Sequence, residues 1–246
     1  MTKWKWASSR AFDALTAGAV HVWLVELSGG ELDRDGCWPL LSDREQCRAE
    51  RYTHEDAHAE YVVSRAMLRV LLAGYVGVEP LDLSFRVAPG GKPFLNEIKG
   101  RPAPQFNMTH SHGVGLYAFA IDQEVGVDVE YVYRRTDHEG VARRFFTERE
   151  STRILGRDPS LRKDAFARAW TCKEACLKWT GMGLKGGLKA HEILFDAEWQ
   201  NPEAVGEGDQ PTLALVEPGE GWVGAAAMGV RADVKGWVWE GKGNDE

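Results

Sequence analysis

The sequence predicts an α+β fold, and three observations predict it. Short runs in which apolar and polar residues alternate recur along the chain, the period of half-buried strands. Two longer stretches carry apolar residues at helical spacing. Each of these follows a similar heptapeptide, Glu50-Arg51-Tyr52-Thr53-His54-Glu55-Asp56 before the first and Arg144-Phe145-Phe146-Thr147-Glu148-Arg149-Glu150 before the second, as in a faint internal duplication.

Strands are expected at 21–27, 83–87, 106–110, 115–121, 125–130, 193–195, 212–216, 222–230 and 237–239. Many are joined by short turns, which favours antiparallel pairing. In the first helix Tyr61, Val62, Leu68, Leu71, Leu72 and Tyr75 mark the buried face. The second spans 163–180, with Phe166, Ala169, Trp170 and Leu177 on its apolar stripe and Gly181 and Gly183 ending it. Arg65-Ala66 then corresponds loosely to Arg168-Ala169. Asp122-Gln123-Glu124 is the expected turn between two halves, 1–122 and 123–246. The Gly-, Pro- and Glu-rich stretch 200–210 reads as a surface loop, Gly181 to Gly187 as a turn, and 241–246 as a fraying tail.

Composition narrows the function classes. The chain has 246 residues, 43% hydrophobic and 27% charged, ordinary values for a globular protein. No apolar run is long enough to span a membrane, and the start lacks the apolar core of a signal peptide, so a cytoplasmic protein without a membrane partner is expected. A net charge of -7 argues against nucleic acid as the main partner, because phosphate backbones demand a basic footprint. The four cysteines, Cys37, Cys47, Cys172 and Cys176, show no disulfide-framework density and are expected to be structural.

Three carboxylates carry the chemistry. Val125, Val127 and Val129 alternate with Gly126, Asp128 and Glu130, so the two acids share one strand face, and Gly126 on that face is expected to leave room for something large to approach. Taken alone, an acid-x-acid pair is more commonly a solvated strand face. Glu174 and Lys178 lie four apart on the second helix, a spacing whose default explanation is a surface ion pair. Trp170 and Trp179 nearby argue against free solvation of that face.

Gly126-Val127-Asp128-Val129-Glu130 followed by Trp170-x-x-Lys173-Glu174-Ala175-x-x-Lys178 resembles the paired signature of the 4′-phosphopantetheinyl transferases of the surfactin-synthetase-activating type. Gly91-Lys92-Pro93, the stretch Phe106-Asn107-Met108-Thr109-His110-Ser111, and Arg143 to Glu150 fit the same family, so the resemblance runs over 48–184. It implies two similar α/β halves in a pseudo-dimer, each with a largely antiparallel sheet packed on a long helix. A single chain holding both halves is expected to be a monomer. The implied reaction moves the 4′-phosphopantetheine arm of coenzyme A onto a serine of an apo acyl or peptidyl carrier protein and releases adenosine 3′,5′-bisphosphate.

The resemblance implies metal ligands Asp128, Glu130 and Glu174, and all-carboxylate donors suit magnesium better than zinc. Glu174, directly or through a water, is the expected base for the serine, and Lys178 the cation over the transferring phosphoryl group. Coenzyme A is expected to meet Lys92, Thr109, His110 and Lys173, with Arg51 preferred among Arg44, Arg48, Arg51 and Arg65 for the 3′-phosphate. Thr109 stands where a serine is more usual, and a lone histidine at a strand end such as His110 is more often a structural donor, its ligand role resting on the family motif alone. Two rivals remain: an inactive coenzyme A or carrier-binding module of the same fold, and a different magnesium enzyme of phosphate chemistry. No acid nor Lys178 is missing, as the first would require, and no Gly-rich phosphate loop opens a helix, as the second would.

Overall fold

The structure, a computed structural model, describes residues 6–9, 12–28, 33–98, 100, 102–183, 187–229 and 232–240. Its strands in chain order are β1 (Trp6–Ser9), β2 (Ala19–Glu26), β3 (Phe85–Val87), β4 (Pro93–Leu95), β5 (Gln105–Ser111), β6 (Val114–Ala120), β7 (Val125–Tyr131), β8 (Glu192–Phe195), β9 (Pro202–Val205), β10 (Thr212–Val216), β11 (Trp222–Met228) and β12 (Asp233–Trp239). The helices are α1 (Arg34–Cys37), α2 (Asp43–Ala49), α3 (Glu55–Val76), α4 (His138–Phe145), α5 (Glu148–Leu155) and α6 (Arg162–Thr180). None of the described helices is long and apolar enough to cross a membrane. The end of the expected strand at Val230, the tail 241–246 and the middle of the Gly181 to Gly187 turn lie outside the described residues.

Two sheets, each covered by one long helix, face one another. The first runs β1-β12-β2-β6-β5 and the second β10-β11-β7. The period of two in β2 and β6 explains how they serve two cores at once. Trp23, Val25, Tyr117 and Phe119 point towards α3, where they meet Leu68, Leu71 and Leu72. Val20, Val22, Leu116, Ala118 and Ala120 point the other way and pack on Val125, Val127 and Val129 of β7. A third core, with Phe166, Ala169 and Cys172, joins α6 to Ala225 and Ala227 of β11. Asn107 pins the seam, its side-chain oxygen accepting from the Val127 amide at 3.0 Å.

β12 lies parallel between β1 and β2, so the C-terminal segment completes the first sheet. Three expectations need correcting. The stretch 200–210 contains β9, paired with β8 and burying Ala204 opposite Ile193; one inward residue among Gly, Pro and Glu leaves too short a pattern to read. Gly126 gives no room to a ligand: a Cβ there would stand 2.1 Å from the Ala175 carbonyl oxygen and 2.4 Å from the Trp179 nitrogen, because α6 itself occupies the space.

The internal repeat, finally, has a different register. Leu41-Ser42-Asp43-Arg44-Glu45 matches Phe146-Thr147-Glu148-Arg149-Glu150, and each opens a helix through a capping box, Ser42 with Glu45 and Thr147 with Glu150. Both glutamates are buried and pair with a cation on the long helix that follows: Glu45 with Arg69 at 2.7 Å and Arg65 at 2.9 Å, Glu150 with Lys173 at 2.7 Å.

Candidate active site

The close approach at Gly126 builds the site. Because β7 lies directly on α6, the face that carries Asp128 and Glu130 looks at the helical turn that carries Glu174 and Lys178. Asp128 is 5% exposed. Its Oδ1 accepts from Lys178 Nζ at 2.5 Å and from Thr109 Oγ1 at 3.1 Å. Its Oδ2 is buried with no hydrogen-bond partner. A buried carboxylate oxygen left unpaired costs free energy on the order of 1–3 kcal/mol, so its persistence marks a place built for another positive group.

The neighbouring acids feel this crowding. Glu130 has its pKa pushed up to about 7, first by burial and then by the charge of Asp128, against the pull of Arg134, Lys178 and a hydrogen bond from Trp170. Arg134 Nη1 stands 3.0 Å from Glu130 Oε2. Glu174 is raised by the same two causes, burial and then Asp128, with Lys178 and Arg134 opposing. Among the described residues no three His, Cys, Asp or Glu side chains form a ready-made metal site, and the Lys178 ammonium stands on Asp128 Oδ1. The donor chemistry nonetheless fits a hard divalent cation: carboxylates only, mutually repelling, with one buried oxygen unused.

Beside the acids lies a cleft of about 650 Å³ lined by residues that include Arg44, Arg48, Tyr61, Arg65, Phe85, Thr109 and His110. Arg51 lines an adjoining cavity with Arg44, Cys47, Arg48 and Tyr52. A slot of about 290 Å³ bounded by Gly91, Lys92, Met108, Glu174 and Lys178 lies at the seam. Glu45 fixes the cleft wall, because Arg65 Nε and Nη2 both donate to its Oε1. Burial opposes ionisation of Glu45, but Arg65, Ser42 and Arg69 outweigh it and hold the carboxyl below its usual range. His110 Nδ1 faces Glu60 Oε1 at 3.3 Å, which turns the rest of the ring to the cleft.

Not every expected residue reaches this space. Lys173 is 1% exposed, and its ammonium is held by Glu150 and by the carbonyls of Leu188 and His191 at 2.8 and 2.7 Å. With three partners for three donors it has none left for a phosphate. Lys92 borders the slot, but its ammonium ties the halves together through Glu124 at 2.6 Å and the Val125 carbonyl at 2.8 Å. Thr109 does line the cleft, but its hydroxyl donates to Asp128. Cys37, Cys172 and Cys176 are buried packing residues, with burial pushing the Cys176 thiol up to about 12, whereas Cys47 is exposed on the arginine-lined wall.

The sequence pattern also missed Arg134, Glu45 and Glu60. Arg134 follows the strand in a turn, where no periodicity points at Glu130. The one sequence signal for Glu45 is its capping box with Ser42.

The chain is similar to known proteins. Residues 124–227 match the 4′-phosphopantetheinyl transferase superfamily, and residues 36–123 match the family described as 4′-phosphopantetheinyl transferase, N-terminal. The chain is 31% identical to 4′-phosphopantetheinyl transferase HetI of Nostoc over 228 residues, 93% of this chain and 92% of that one. It is 28% identical to 4′-phosphopantetheinyl transferase Sfp of Bacillus subtilis over 158 residues, 64% and 66% of the two chains. Among solved structures, holo-[acyl-carrier-protein] synthase from Thermotoga maritima aligns with a TM-score of 0.36 and 24% identity, covering 46% of this chain and 64% of that one. On the two family matches and the near full-length likeness to the Nostoc protein, the chain belongs to the 4′-phosphopantetheinyl transferases.

Proposed function

We propose that the protein transfers the 4′-phosphopantetheine arm of coenzyme A to a serine hydroxyl of an apo acyl or peptidyl carrier protein and releases adenosine 3′,5′-bisphosphate. The observation that carries the reading is the meeting of Asp128, Glu130, Glu174 and Lys178 at the seam, beside a cleft walled by arginines. We place it with the surfactin-synthetase-activating type, acting in the cytoplasm as a monomer, with neither nucleic acid nor membrane as a partner.

Asp128, Glu130 and Glu174 would hold magnesium. When bound, the ion supplies neutralisation of negative charge on the pyrophosphate. The remaining work falls to the chain. The arginine wall, with Arg51 at its outer end, suits the 3′-phosphate, and His110 suits a phosphate oxygen from the cleft side. Thr109 and Asn107 hold β5 against β7, which keeps cleft and acids in register. Glu174 is the base for the serine proton, directly or through a water. Lys178 lies one turn away, and once it leaves Asp128 its ammonium is free to stabilise charge on the departing bisphosphate.

The test mixes the protein with coenzyme A, magnesium and several apo carrier proteins and follows carrier mass. Gain of one phosphopantetheine arm is expected. No gain on any carrier overturns the reading.

A further inference from the structure

The acidic site contains a second cation that the proposed reaction leaves without a task. Arg134 Nη1 stands 3.0 Å from Glu130 Oε2, and its charge reaches Glu174 as well. Lys178 faces Asp128. Three carboxylates are therefore met by two side-chain cations, and the place that suits a divalent ion is already partly neutralised. Lys178 is half-buried on a helix, but Arg134 is 36% exposed in the turn after β7, where a guanidinium can leave its partner for water at small cost.

We infer that Arg134 is a displaceable counter-ion of the acidic cluster, which a divalent cation must drive off Glu130, so that Arg134 limits how tightly the protein binds that cation before coenzyme A arrives. The inference rests on the metal-site reading given above. Like charges within a few ångströms repel strongly in a partly buried site, and an arginine never relieves the repulsion by losing its proton. The displaced guanidinium then stands at the rim of the site as a donor to incoming phosphate oxygens. Its role is that of a positioning residue, which tunes how tightly the acidic cluster takes a divalent cation.

The test measures Mn²⁺ binding to the full chain without coenzyme A, by electron paramagnetic resonance of the free ion. R134Q, which removes the charge and keeps most of the shape, is expected to bind Mn²⁺ about 3- to 10-fold more tightly than the natural protein. R134K should stay close to it. Damage to the turn would weaken binding, so the direction of the change separates the two causes. Unchanged or weaker binding in R134Q, with binding abolished in D128N, overturns the role of Arg134 alone. Equal Mn²⁺ binding in the natural protein and D128N overturns the metal-site reading, and this inference with it.

Discussion

Lys178 Nζ lies 2.5 Å from Asp128 Oδ1, joining a helix of the second half to the strand that faces the first. Removing the ammonium by Lys178→Ala should lower kcat by about 10²–10³-fold, the usual cost of one preorganised transition-state partner. Steady-state carrier loading gives the rate. A far-ultraviolet spectrum like that of the natural protein shows that the fold survives, and near-normal turnover would remove Lys178 from the mechanism.

Lys173 and Glu150 are each 1% exposed at the side chain and 2.7 Å apart. Breaking a buried pair strands a charge, so Lys173→Ala should cost about 3–5 kcal/mol in a urea titration. A phosphate ligand would behave otherwise, raising the KM for coenzyme A at little cost in stability. The two readouts together decide between support and contact.

Gly126→Ala puts a methyl group against the Ala175 carbonyl and the backbone of Trp179. Strand and helix must separate, and overpacking of this kind costs about 1–3 kcal/mol or more. Because the same approach brings Asp128 to Lys178, activity should fall further than stability alone explains, which a melting curve beside a rate measurement would reveal.

His21 titrates away from its ordinary range, down to about 4, chiefly because it is buried and secondly because Lys235 is near. Its ring nitrogen Nδ1 lies 2.8 Å from the Tyr75 hydroxyl. Between about pH 6.5 and pH 4 the unfolded chain binds a proton at this position and the folded chain does not, so stability must fall as pH falls through that window. The loss amounts to roughly 3 kcal/mol at its end. Above pH 7 the residue adds no slope. Denaturation series at several pH values should show that His21→Gln flattens the acid side of the profile, and an unchanged slope would assign it to other groups.

Much of this molecule can be read along the chain. The alternation in 125–130 marks β7, the apolar stripe with Gly181 marks α6, and the two acidic motifs mark the family. The placement of β12 could not be read, because parallel insertion into a distant sheet leaves no local signal. The repeat is legible, but its register is not: Thr53 precedes α3, whereas the capping box that matches Thr147 begins at Ser42.

The same division holds at the site. The order of residues alone dictates which acids and cations are present and that Asp128 and Glu130 share one strand face, because side-chain direction in a strand follows from its period of two. What that face meets is a matter of packing: a glycine lies against a helix backbone, so that Lys178 arrives at Asp128 while Lys173, on the same helix, is turned inward to Glu150. Residues five apart on a helix point in different directions, and which of them sees the seam depends on how the helix is rolled on its sheet, a property of packing that no local pattern encodes.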